Sequence, residues 1–85
     1  MPGQTLLVQI KIDPDVADYP YVQVADQLRA AIMAGELGPQ LPSILELTEE
    51  TGLAINTIRR AIRILVDEGL VRTAAGRGTF VTRRE

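Results

Sequence analysis

A helix-start signal, a glycine stop and a second, longer helical segment follow one another in the middle of the chain. Ser43 and Glu46 have the spacing of a capping box, in which each side chain bonds the backbone N–H of the other residue. The helix that they start is short because Gly52 stops it. The next helix is predicted over residues 55–68 and ends before Gly69. A short helix, a glycine and a longer helix are the arrangement of a helix-turn-helix.

The segment that follows this longer helix predicts a β-hairpin. Two short runs rich in Thr, Val and Phe, Leu70–Thr73 and Thr79–Thr82, flank the glycine-containing link Ala74–Gly78. A hairpin placed directly after the second helix of a helix-turn-helix is a wing. We therefore expect a wing over residues 70–83.

A further helix is predicted before the helix-turn-helix. Pro20 suits the first position of a helix, where its missing N–H has no cost, and Gly35 is placed to end the helix. Between them, apolar residues recur at helical spacing and form one face, which includes Tyr21, Ala25, Leu28 and Ile32.

An alternating run, Leu6–Ile12, opens the chain and predicts a strand that Asp13-Pro14-Asp15 ends. This strand either joins the sheet of its own wing, which we favour, or pairs with a second copy, because an unpaired apolar strand invites edge pairing. The expected fold class is α+β, mainly α. It comprises an arm or strand over residues 1–17 and a winged helix-turn-helix over 18–85, with three helices and a C-terminal hairpin.

The positive charge of the chain is concentrated in its last part. Residues 55–85 hold seven arginines and three acidic residues, a net charge of +4, whereas residues 1–54 hold two basic and eight acidic residues, a net charge of −6. The whole-chain charge of −2 conceals this polarity. Because binding responds to the local field and not to the total, the asymmetry indicates a nucleic-acid partner.

The composition argues against several other functions. The chain has no Cys and no His, which removes disulfides, thiolate metal sites, the commonest general base and the commonest metal ligand. It contains no paired carboxylates and no phosphate-cradling loop, so we expect neither an enzyme nor a cofactor nor a metal. The sequence also has no apolar run long enough to span a membrane and no charged start typical of a signal peptide. We expect a cytoplasmic protein.

The predicted helix over residues 55–68 divides into two faces when it is drawn at about 100° per residue. One side is apolar and consists of Ile58, Ala61, Ile62 and Leu65. The other side consists of Asn56, Arg59, Arg60, Arg63 and Asp67. Arginine grips phosphates or bonds guanine, and asparagine bonds adenine. An ordinary solvated surface would look similar in an isolated helix, but the preceding turn and the following hairpin favour DNA.

Taken together, these motifs resemble the winged helix-turn-helix domain of the GntR family of bacterial transcription regulators. The start of the chain, from Ile12 to Tyr21, looks most like the short YtrA-type branch. The resemblance implies a sequence-specific regulator with its recognition helix in the major groove and its wing at the adjacent minor groove. The matching pieces are Leu41-Pro42-Ser43, Glu46-Leu47, Gly52-Leu53, Asn56-Thr57-Ile58-Arg59, Ala61-Ile62, Leu65, Glu68-Gly69-Leu70-Val71 and Gly76-Arg77-Gly78-Thr79-Phe80-Val81.

The resemblance also implies which residues contact DNA. Asn56, Thr57 and Arg59 sit where the family reads bases and grips phosphates, and Ser43 sits where its second helix meets the backbone. A plain helix cap accounts for Ser43 equally well. The wing tip, where the family approaches the minor groove, contains two glycines that turn geometry also explains. The full expected set is Ser43, Asn56, Thr57, Arg59, Arg60, Arg63, Gly76, Arg77 and Thr79.

Some positions depart from the family pattern. Many members have Arg where this chain has Leu45, and Ser-Arg or a Pro where it has Ala54-Ile55, so two common contacts are missing. Ala54 also cannot cap the recognition helix. These changes suggest weaker or unusual DNA binding. They leave open a second interpretation, a winged-helix protein-interaction module such as an anti-repressor or assembly adaptor.

The expected partner is double-stranded DNA with a near-palindromic operator. Family members append a dimerisation and effector domain after the wing, whereas this sequence ends at Glu85. It is therefore either a cut-out domain or a standalone small regulator. We expect it to be mainly monomeric, with a weak homodimer forming on DNA or through residues 6–12.

Overall fold

The computed structural model describes residues 10–82, which form three helices followed by a two-stranded antiparallel sheet. All five elements begin and end within a few residues of their predicted bounds, and the predicted fold class is confirmed. The elements are α1 Pro20–Met33, α2 Ile44–Thr51, α3 Ile55–Asp67, β1 Val71–Ala74 and β2 Gly78–Val81.

Glycines end the helices as the sequence predicts. Gly69, just after α3, has a φ of 78°, and the N–H of Leu70 returns to the carbonyl of Leu65 at 3.0 Å. This bond satisfies a carbonyl that the end of the helix would otherwise leave unpaired. Gly35 ends α1 by the same geometry, with a φ of 72°.

One hydrophobic core joins all three helices to the wing. Its largest fully buried side chains come from every helix: Val24, Leu28, Leu47, Ile58 and Leu65. Val71 of β1 and Leu41, before α2, extend the core to the sheet. Ile64, which belongs to neither face in the helical projection, is partly buried and packs against this core, because α1 also packs on α3.

The segment before α2 lies along the open edge of the wing. The N–H of Leu41 donates to the carbonyl of Thr79 at 2.9 Å, and the N–H of Val81 donates to the carbonyl of Pro39 at 2.8 Å. Gln40 lies opposite Phe80 in an antiparallel bridge. The hairpin is therefore fixed to the helix-turn-helix by backbone hydrogen bonds as well as by side-chain packing.

The N-terminal segment differs from its prediction. Residues 6–9 of the predicted strand lie outside the described residues, and residues 10–12 belong to no strand. Lys11 instead exchanges two hydrogen bonds with the side-chain amide of Gln27 at 2.9 and 2.6 Å. Gln23 binds both backbone groups of Asp13 in the same way, at 2.8 and 3.1 Å. Two amide side chains one helical turn apart offer the donor and acceptor pattern of a neighbouring strand, so this segment lies along α1.

An ion pair connects α1 to the end of α3. The guanidinium of Arg29 donates to both carboxylate oxygens of Glu68 at 2.8 and 2.7 Å and to Asp26 at 2.6 Å. These bonds raise the pKa of Arg29 above its ordinary value and lower the pKa of Glu68. The pair neutralises the charge of Glu68, one of the three acidic residues within the basic segment 55–85.

Candidate nucleic-acid interface

The exposed side of α3 is polar and cationic, and its opposite side is fully buried. Ile58, Ala61 and Leu65 have no exposed surface, and Ile62 is 4% exposed. The other side presents Asn56, Arg59, Arg60 and Arg63 to solvent. The core therefore fixes the rotation of α3, and this rotation turns the predicted residues outward together. We call these four residues the α3 stripe.

The three arginines of the α3 stripe have different surroundings. The guanidinium carbon of Arg60 lies 4.2 Å from the centre of the Tyr21 ring, a cation–π contact that holds its head group towards α1. Arg63 forms a long, exposed contact of 3.4 Å with Asp67. Within residues 10–82, Arg59 has no carboxylate partner. Arg59 is thus the arginine of the stripe that is most available to a ligand.

A groove separates α3 from the wing. Arg59, Ile62 and Arg63 line it on the helix side, and Thr73 and Thr79 line it on the wing side. Thr79, one of the predicted DNA contacts, is only 7% exposed, so its side chain faces this groove and not the outer surface of the wing. Asp67 also lines the helix side, where it contacts Arg63, so Arg59 is the cationic side chain that the groove places opposite hydroxyl groups without an acidic partner among the described residues, a combination that suits a phosphate backbone. We call it the helix–wing groove.

The wing tip is a tight turn that a side chain from outside the wing supports. Gly76 and Gly78 have φ values of 74° and 117°, and the N–H of Arg77 donates to the carbonyl of Ala74 at 2.9 Å. Gln40 donates from its Nε2 to the carbonyl of Arg77 at 3.0 Å. A Cβ atom at Gly78 would lie 2.5 Å from that Nε2, so only glycine leaves room for this support. The structure places Arg77 at the exposed tip, as predicted.

Sequence reasoning missed two of the residues that shape this surface, Gln40 and Tyr21. Gln40 contacts Arg77 across a separation of 37 positions, and Tyr21 contacts Arg60 across 39 positions. Neither residue belongs to a local motif that signals such a contact. The start of α1 offers the one hint for Tyr21, because two tyrosines flank Pro20 there.

The two helices of the helix-turn-helix start differently. Ser43 accepts a hydrogen bond from the N–H of Glu46 at 3.0 Å, and Glu46 accepts one from the N–H of Ser43 at 2.8 Å. The predicted capping box is therefore confirmed. Ala54 precedes α3 and makes no side-chain cap, also as expected. Thr57 lies in the first turn of α3 and is half-buried, at the edge of the α3 stripe.

Among residues 10–82, no cluster of acidic side chains is arranged to hold a metal ion. Nor does the same part of the chain contain a helix of the length and apolarity that crossing a membrane requires.

A helix-turn-helix followed by a two-stranded wing defines a winged helix-turn-helix protein. Residues 20–81 match the family described as bacterial regulatory proteins, gntR family. The chain belongs to this family. It is 45% identical over 65 residues to the HTH-type transcriptional repressor NagR of Bacillus subtilis (strain 168), a match that covers 74% of this chain and 27% of the relative.

Solved structures of the same class superpose on the chain. YtrA from Sulfolobus acidocaldarius, a GntR-family transcription factor, matches with a TM-score of 0.80 and 38% identity over 89% of this chain and 82% of that one. The crystal structure of AraR(DBD) in complex with operator ORX1 matches with a TM-score of 0.77 and 31% identity over 88% and 98% of the two chains. The predicted resemblance, including its YtrA-like character, is confirmed.

The chain is short relative to its curated relatives. It spans 27% of NagR and 63% of the HTH-type transcriptional regulator Rv1152 of Mycobacterium tuberculosis (strain ATCC 25618 / H37Rv), to which it is 35% identical over 78 residues. The similarity to the relatives therefore concerns the winged helix-turn-helix.

Proposed function

We propose that this protein is a sequence-specific DNA-binding transcription regulator and not an enzyme. In this proposal α3 lies in the major groove and the wing, β1 to β2, reaches the adjacent minor groove. The proposed location is cytoplasmic, since such a regulator must reach DNA. The relatives named above are transcription regulators, and the AraR domain is described in complex with an operator.

The observation that carries this proposal is the continuity of the α3 stripe with the helix–wing groove. Arg59 and Arg63 both belong to the stripe and to the groove, so the cationic surface is continuous along α3. A base-reading helix and a phosphate-gripping groove must be adjacent, because the sugar-phosphate backbone borders the groove that the helix enters.

Each predicted site residue takes a role from its position. Asn56 and Arg59, near the start of α3, are placed to bond base edges, since N-terminal residues of a recognition helix make such contacts. Arg63, within the stripe, and Thr57, at its edge, suit phosphate contacts.

The remaining residues of the predicted site suit contacts with the sugar-phosphate backbone and the minor groove of the DNA. Arg60, held by Tyr21, gives a fixed positive charge to the α1 side of the helix. Ser43 offers its hydroxyl proton to a phosphate while its oxygen caps α2. Arg77 and the two glycines at the wing tip approach the minor groove, and Thr79 lines the helix–wing groove.

A single winged helix of this size covers part of a duplex site, so we expect modest affinity from one copy. Two copies on a near-palindromic operator would place their half-sites about one helical turn apart, as other helix-turn-helix dimers do. The experiment that tests the proposed function is selection of binding sites from random duplex DNA at two salt concentrations. We expect one enriched half-site and weaker binding at the higher salt. Recovery of unenriched DNA, or of none, would contradict the proposal.

A further inference from the structure

The first residue of α3 is a large apolar side chain that the core does not cover. Ile55 is 48% exposed. Its apolar neighbours are covered: Ile58 is fully buried and Leu53 packs against the core. The cost of leaving apolar surface in water gives Ile55 a reason to accept a partner.

Ile55 adjoins the α3 stripe. It lies four residues before Arg59, so the two side chains are neighbours on the helix surface, and it directly precedes Asn56. A protein partner that covered Ile55 would also have to cover the guanidinium of Arg59, which has no carboxylate partner within the described residues. A DNA major groove accommodates both groups, because it presents an apolar methyl beside hydrogen-bond acceptors.

We propose that Ile55 reads the C5-methyl group of a thymine next to the base pair that Arg59 contacts. The inference rests on the proposed function and adds a specificity-determining residue to it. Thymine is the one base that presents a methyl group in the major groove, so an apolar side chain there discriminates thymine from the other three bases. Ile is suited to this task because its branched side chain has a restricted χ1 and loses little freedom on contact.

The test removes the methyl group from the DNA and the side chain from the protein, separately and together. Each thymine of the selected half-site is replaced in turn by deoxyuridine, which differs only by the methyl group. Affinities are then measured for the wild-type protein and for Ile55→Ala. At one thymine position we expect the wild type to lose about fourfold in affinity, the value of one buried methyl-sized group.

The coupling between the two changes is the decisive quantity. Ile55→Ala should bind the thymine site more weakly and should lose nothing further on deoxyuridine at that one position. Ile55→Val, which keeps a branched apolar side chain, should retain the dependence on the methyl group. Met33→Ala is the matched control, because Met33 is an exposed apolar residue, 70% exposed, at the far end of α1. It should respond to deoxyuridine as the wild type does.

Each other outcome overturns the inference. A selected site without thymine, or deoxyuridine effects that are equal in the wild type and Ile55→Ala, would contradict it while leaving the proposed function intact. Failure to select any site would remove the proposed function and the inference together. Thermal melting of Ile55→Ala shows that the variant is folded, since truncation of a half-exposed side chain should shift the melting temperature only slightly.

Discussion

The two helices of the helix-turn-helix, α2 and α3, are stabilised in different ways. α2 has eight residues, one fully buried side chain, and side-chain bonds at both ends. Ser43 caps its start, and Thr51 donates to the carbonyl of Leu47 at 2.7 Å near its end. α3 has 13 residues, four buried side chains and no side-chain cap at its start. Local hydrogen bonds define α2, whereas packing against the core defines α3.

This difference bears on the proposed DNA-binding surface. The starting turn of α2 already has the backbone N–H groups of Ser43 and Glu46 bonded by the capping pair, which leaves the hydroxyl proton of Ser43 for a ligand. The starting turn of α3 lacks such a cap, and its outward side chains, Asn56 and Arg59, have no role in the core. A helix held by its buried side can present the other side without losing stability, and the α3 stripe is placed on that helix.

The largest expected effect comes from breaking the packing that holds α3. Leu65→Ala should lower the free energy of unfolding by about 2–5 kcal/mol, because Leu65 is fully buried and its truncation leaves a cavity. For a domain of this size that loss approaches the whole stability, about 3–5 kcal/mol. Urea denaturation followed by circular dichroism measures it. A loss below that of an exposed control such as Leu45→Ala would contradict the role of packing.

A smaller effect, on binding alone, is expected from the outward side of the same helix. Arg59→Ala should weaken binding to the selected site by about 1–3 kcal/mol and relax preference at one base position, with stability unchanged. Titration against a set of single-base variants measures both. Equal weakening on every sequence would instead assign Arg59 to a phosphate.

Arg72→Ala is the matched charge control for Arg59→Ala. Arg72 precedes Thr73 on β1, and because successive side chains of a strand point to opposite faces, it lies on the face away from the helix–wing groove. Arg72→Ala removes the same charge as Arg59→Ala, but from a face away from the helix–wing groove. It should therefore leave the base preference unaltered.

The starts of α2 and α3 give a reciprocal pair of variants with still smaller effects. Ser43→Ala should destabilise the protein by about 1 kcal/mol through loss of the cap on α2. Ala54→Ser should stabilise it by about the same amount, since Ala54 already has the extended conformation of a capping residue, with φ −68° and ψ 154°. Chemical denaturation measures the free energy of unfolding of both variants against that of the wild type. Two changes of the same sign would show that the ends of the helices are not stabilised as described.

The smallest expected effect is the pH dependence of the contact between α1 and α3. The hydrogen bonds from Arg29 lower the pKa of Glu68 in the folded state. The contribution of this pair to stability is therefore fully present above the ordinary pKa of a glutamate and is lost as the pH falls through the lowered value. Comparing acid unfolding of the wild type with that of Glu68→Gln measures it. An identical acid dependence of the two proteins would exclude the contribution.

The sequence alone was sufficient for the three helices, the hairpin and the faces of α3. Local signals determine them: the capping pair Ser43 and Glu46, and glycines whose positive φ values end each helix. The alternation of buried and exposed residues in α3 follows from the helical repeat. These features depend on neighbours in the chain, so one sequence contains them.

The contacts that adjust the site could not be predicted in this way. Arg60 and Tyr21, or Gln40 and Arg77, meet only after the whole chain has folded. The predicted N-terminal strand was wrong for residues 10–12, because apolar alternation predicts an extended segment but does not identify the partner that it pairs with. Gln23 and Gln27 of α1 take that place within the described residues. Pairing partners are a property of the tertiary structure.

The central claim is that the exposed side of α3 reads DNA sequence, and one titration tests it most directly. The affinity of the wild-type protein is measured for the selected duplex and for a scrambled duplex of equal length and composition, over a series of salt concentrations. We expect the selected duplex to bind at least about tenfold more tightly, the discrimination of one bidentate base contact, with both affinities falling as salt rises. Equal affinity for the two duplexes at every salt concentration would contradict the claim.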